Sequence, residues 1–173
     1  MRLVVLGGLA CFWICLIISF ILYPNFNFQT MNLSDLGSKA SPARSVFNFG
    51  LILSAIFIGW FTILSHSYII LSKFILRILL SVFLLFVAVF SVDYGKVHFV
   101  ISFIFFAISI VLFILESFYW VYVGLLLVFI WAMNLLFKMF GTGHAVVELL
   151  NIVVLCIYFI QEAEFTEKFI KSK

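Results

Sequence analysis

Hydrophobic and polar positions fall into long blocks. Six apolar runs, at approximately 3 to 23, 45 to 65, 74 to 92, 98 to 115, 119 to 137 and 144 to 162, are separated by short polar segments. Each is close to the roughly 20 residues that a helix needs to cross a hydrocarbon core about 30 Å thick. Strands of a membrane barrel would alternate over segments of about 10 residues, whereas these runs are apolar on every face. Helices also satisfy their own backbone hydrogen bonds inside lipid. The pattern predicts an all-α, polytopic six-transmembrane-helix bundle, one transmembrane domain over residues 1–173. After the first loop the connections are short, around His66 to Lys73, Asp93 to Val97, Glu116 and Lys138 to Gly143. Short connections make sequence neighbours antiparallel neighbours, so the bundle is up-and-down with both termini on one side.

The polar residues of three loops come out together on the other side. These loops are Thr30 to Ser45, Val92 to His98 and Lys138 to Glu148. The C-terminal segment, residues 163–173, pairs Glu164 with Lys168 and Glu167 with Lys171 at i,i+4 and puts Phe165 and Phe169 on a shared face. It reads as an amphipathic extension of helix six lying at the membrane interface.

Composition excludes a water-soluble globule. With 66% hydrophobic residues, 10% charged and 24 Phe, the chain has too little polar surface to cover a body of its own size. The first run is longer than the core of a secretory signal and has no small-x-small cleavage site before Tyr23 and Pro24, so it is expected to be a retained helix. Cys11, Cys15 and Cys156 fall inside the runs without C-x-x-C spacing and read as apolar packing residues. Charge sets the orientation: Arg2, Lys73, Arg77, Lys168, Lys171 and Lys173 lie on the side of the termini, against Lys39, Arg44, Lys96 and Lys138 on the other. The positive-inside rule then favours a multi-pass protein of the cell membrane with cytoplasmic termini.

Helices two, four and six begin on the outward polar side. Helix six carries His144, Glu148 and Asn151 at i, i+4 and i+7, a stripe descending about 10 Å at 1.5 Å per residue. Helix four carries His98, Ser102 and, deeper, Ser109; helix two follows Ser41 and Pro42 with Arg44 and Asn48. Helix N-termini present unpaired N–H groups and partial positive charge, so with Lys39, Arg44, Lys96 and Lys138 around them they favour an anion such as a phosphate-bearing lipid head group. Asp35, Lys39, Arg44, Asn48, Lys96, Ser102 and Asn151 are the candidate binding residues. Asp93, His98, His144 and Glu148 are also residue types suited to general acid/base catalysis, and His98, His144 and Glu148 to binding zinc, although no cofactor is expected. A third alternative is structural, with Asp93 capping helix four and Glu148 paired with Arg44 or a histidine to lock the bundle. The inner halves of the helices carry only isolated polar residues such as Thr62, Ser109 and Asn134, which disfavours a transport pathway.

Ser34, Asp35, Leu36 and Gly37, followed by Phe47 and Asn48, resemble the Ser-Asp/Glu-Leu-Gly core and later Phe-Asn of the membrane family called domain of unknown function 998, found in archaea and bacteria. Length and helix number match over essentially the whole chain. The segments DYGKVHFVISFIFF and GTGHAVVELL are broadly similar to that family and to the Frag1/DRAM/Sfk1 group of membrane proteins. That similarity implies a lipid-related theme without supplying a reaction, and it gives no counterpart for His144.

The expected function is a one-sided polar pocket for a lipid head group or anion. The alternatives are a membrane-embedded lipid hydrolase or transferase using the His, Asp and Glu residues, and a non-catalytic accessory subunit. Membrane lipids are the expected partners, nucleic acid is not, and partner subunits or a second copy of the chain remain open.

Overall fold

The computed structural model describes residues 1–172, so Lys173, counted above for orientation, lies outside the described residues. Six helices are long and apolar enough to cross a membrane: α1 Arg2–Leu22, α2 Arg44–Leu64, α3 Leu71–Val89, α4 Lys96–Ile114, α5 Phe118–Phe137 and α6 Ala145–Lys171. No strand occurs among the described residues. The chain is an all-helical, six-helix membrane protein.

Helices α1 to α5 pack in chain order, each against the next, and α6 returns beside α1 and α5. The side chains of α6 reach further than its backbone neighbours. Phe159 meets Phe61 of α2, Tyr158 meets Arg77 of α3, Phe113 of α4 and Trp120 of α5, and Asn151 meets Ser109 of α4. The buried face of α6 is therefore the surface on which the other helices converge. An ion pair between Arg2 and Glu164, at 3.2 Å, sets the start of α1 beside the last third of α6 and puts both termini at one end of the bundle.

Small differences from the sequence pattern have local causes. Helix α3 starts at Leu71, ahead of the apolar run, and so takes in Lys73. Helix α6 continues without a break to Lys171, because the polar extension keeps good helix formers and an i,i+4 pair between Glu167 and Lys171. Helix α2 begins at Arg44, just after Pro42, and the Ser41 hydroxyl accepts the Ala43 N–H at 3.1 Å. Asp93 does not stand at the α4 N-cap, which is Gly95 with φ +54°; it sits in a short 3-10 helix, Val92–Tyr94.

Candidate functional site

The first loop folds down as a cap over the starts of α2 and α6, at the end of the bundle away from the termini. Asn27 opens it by accepting the Gln29 N–H on its side chain at 2.8 Å and the Met31 N–H on its carbonyl at 2.9 Å. This turn lies along the last loop: Gly143 donates to Gln29 O at 2.9 Å, Ala145 to Met31 O at 3.2 Å, and the His144 N–H to Asn32 Oδ1 at 3.1 Å. These bonds occupy the His144 and Ala145 N–H groups, two of those at the head of α6 that have no partner within the helix.

The loop then forms a 3-10 helix, Leu33–Gly37, with Leu33 and Leu36 buried and Asp35 Oδ2 accepting the Asn32 N–H at 2.7 Å. Glu148 rises from α6 beneath it. Its Oε2 accepts the Leu33 N–H at 2.7 Å, and the Ser34 N–H also serves it. Among the described residues no histidine or arginine bonds to that carboxylate. The two parts of the motif meet in space: Asn48 Nδ2 donates to Gly37 O at 3.3 Å, and a Cβ on Gly37 would run into the Asn48 side chain. Glycine at 37 thus lets the cap lie flush on α2.

Asp93 ties the second loop to the first. Its Oδ2 accepts the Lys39 N–H at 2.8 Å and the Ser91 hydroxyl at 2.9 Å. Partial desolvation pushes this carboxyl up, but those two hydrogen bonds and the neighbouring Lys39 and Arg44 charges hold it below the usual carboxylate range.

The two histidines have separate partners. His98, buried at the head of α4, has Nδ1 2.5 Å from Phe90 O and Nε2 3.2 Å from the Ser102 hydroxyl. Because a carbonyl only accepts, Nδ1 carries the proton of the first contact. His144 Nδ1 accepts from Asn134 Nδ2 at 2.9 Å, and its ring lies 5.8 Å from that of Trp131. Burial lowers the His144 pKa and favours its neutral form. Asn134 also accepts the Phe140 N–H at 3.1 Å, fastening the last loop to α5. Deeper in α6, Asn151 Oδ1 accepts from Ser109 at 3.1 Å. No group of three or more His, Cys, Asp or Glu side chains is arranged as a metal-ligand set among the described residues.

The cations remain. Lys39, Arg44, Lys96 and Lys138 are all exposed, and none forms an ion pair among the described residues. Lys138 stands at the end of α5 in a left-handed conformation, φ 51° and ψ 41°.

Sequence reasoning passed over a second polar cluster at the opposite end. There Lys73, Arg77, Glu116, Tyr158 and Glu162 join α3, the α4–α5 turn and α6. The signal was present: ionisable residues inside apolar runs are costly and call for partners. Arg77 served only to orient the chain, and Glu116 marked only the short connection between helices four and five.

Fold and site together define a multi-pass helical membrane protein with a folded polar cap on one end and a buried charged cluster at the other. A sequence model of the family described as "Protein of unknown function (DUF998)" matches residues 5–161, and the chain belongs to that family. Comparison with curated proteins and with solved structures found no match.

Proposed function

We propose that this protein binds the phosphate-bearing head groups of anionic lipids at the face covered by the first loop. The carrying observation is how the charges on that face are used. Glu148, Asp35 and Asp93 are spent on main-chain N–H groups of the cap, while Lys39, Arg44, Lys96 and Lys138 stay exposed without ion pairs. Carboxylates that accept inside the fold do not compete for these cations as partners within hydrogen-bond reach. Each cation near an anionic membrane surface contributes about 1 kcal/mol of attraction.

Aromatic side chains support an interfacial position for the same face. Phe20, Phe26 and Phe28 pack on one another at the exit of α1, with ring centroids 5.0 to 5.3 Å apart, and Tyr94 is exposed beside Lys96. A tyrosine, apolar in its ring and polar at its tip, sits well at the level of the head groups. Lys39 is fixed to this face through its own N–H, which Asp93 accepts, and Lys96 and Lys138 stand at the ends of α4 and α5.

Native mass spectrometry of the purified protein, loaded with phosphatidylglycerol or phosphatidylcholine, tests the reading. Phosphatidylglycerol is retained in preference, and replacing Lys39, Arg44, Lys96 and Lys138 together by Gln abolishes the preference while the melting temperature holds. Equal retention of both lipids by the unmodified protein contradicts the reading.

A further inference from the structure

On the end away from the cap, Arg77 is fully buried six positions after the first residue of α3, about 9 Å along the helix axis. Its Nε donates to Tyr158 Oη at 3.0 Å, and its Nη2 to the same oxygen and to Glu162 Oε2. Tyr158 in turn donates to Glu116 Oε2 at 2.9 Å, and Lys73 Nζ lies 2.6 Å from Glu116 Oε1. The cluster contains the cations Lys73 and Arg77 and the carboxylates Glu116 and Glu162, so its formal charges cancel.

Two groups in it are unmatched. Arg77 Nη1, with two N–H donors, is buried without any hydrogen-bond partner. Glu162 bonds to Arg77 through Oε2, and its Oε1 accepts no hydrogen bond among the described residues. A charged donor left bare in a low-dielectric interior is strongly unfavourable. Lys73, Glu116 and Glu162 are 17%, 12% and 14% exposed, so the cluster has an open rim at the membrane interface.

We propose that this cluster is a second ligand site, for a zwitterionic phospholipid head group that joins a phosphate to a primary ammonium. A phosphate oxygen accepts an N–H of Arg77 Nη1, and the ammonium donates to Glu162 Oε1. Because the cluster is already neutral, a neutral head group adds no uncompensated charge, whereas an anion would. A quaternary ammonium has no N–H to give, which sets choline lipids apart. The depth of Arg77 within an apolar helix selects a lipid over a soluble phosphate ester. The site is independent of the capped face and belongs to the opposite leaflet.

Lipid retention by the full-length protein tests it, using phosphatidylethanolamine, phosphatidylcholine and phosphatidylglycerol as probes, with soluble phosphorylethanolamine as competitor. The unmodified protein retains phosphatidylethanolamine at least about tenfold better than phosphatidylcholine, as expected for one charge-assisted hydrogen bond. Glu162→Gln and Arg77→Lys each remove that preference and leave phosphatidylglycerol retention unchanged, while the four-Gln variant of the capped face has the reverse effect. Equal retention of the ethanolamine and choline lipids, equal loss of all lipids in Glu162→Gln, or full displacement by phosphorylethanolamine overturns the proposal. If neither variant folds, the comparison within the unmodified protein decides.

Discussion

Glu148 illustrates how one residue connects sequence to architecture. A carboxylate one turn inside an apolar run must find donors, and it finds them in the main chain of a loop more than a hundred residues earlier. Glu148→Gln replaces a double acceptor by a group whose amide nitrogen is itself a donor, so one of the two N–H groups loses strength or is left bare. It should cost about 1–3 kcal/mol, read as a lower melting temperature in detergent, with Glu148→Ala costing more. Asp93 gives a pH signature. Its folded pKa lies below the usual value, so its stabilisation is present above the unfolded pKa near 3.9 and is lost as pH falls through the lower folded value. Asp93→Asn therefore lowers the melting temperature at pH 7, and its difference from the unmodified protein closes as pH drops below about 4. The depth of Glu148 was legible in the sequence; its partners were not, because main-chain amides carry no residue signature. The depth of Arg77 was legible in the same way, but its partners were not, since they come from separated positions, 116, 158 and 162, none conspicuous alone.

Among the elements, the helices follow directly from the apolar runs, and the loops do not. The first loop is held as a cap by Glu148, Asp93, Asn48 and the backbone of residues 143–145, a set of contacts that only the assembled bundle supplies. Two glycines make that docking possible. Gly141 has φ +106° and lies against the main chain of Gln29, and Gly143 lies against the main chain of Met31. Gly143→Ala puts a Cβ into rigid backbone and should destabilise the protein by more than about 1 kcal/mol, seen as a lower melting temperature and faster proteolysis between Phe28 and Lys39. A melting temperature equal to that of the unmodified protein would mean that the two loops do not dock. The Ser-Asp-Leu-Gly and Phe-Asn elements were visible as separate signals, and their contact through Gly37 and Asn48 gives the spacing its physical meaning.

For the whole molecule, α6 is the common strut. Its buried face presents Glu148 to the cap, Asn151 to α4, and Tyr158 and Glu162 to the charged cluster at the other end, with Leu155 in the apolar interval between them. Bundle, helix number and the shared side of the termini were readable from run lengths and short connections, whereas the central role of α6 depends on packing and has no counterpart in composition. The basic-residue split predicts cytoplasmic termini. In a cysteine-free background, a cysteine at Ser38 should react with an impermeant reagent outside the cell and one at Ser172 should not; the opposite labelling reverses the orientation. The binding of anionic lipid at the capped face is tested most directly by photo-crosslinking. A photoreactive phosphatidylglycerol, with its reactive group in the head group, should label peptides around Lys39 to Arg44 and Tyr94 to Lys96 in the reconstituted protein, and labelling should fall at high salt. Labelling confined to the His66 to Lys73 turn and the C-terminal segment, or spread evenly along the chain, would contradict it.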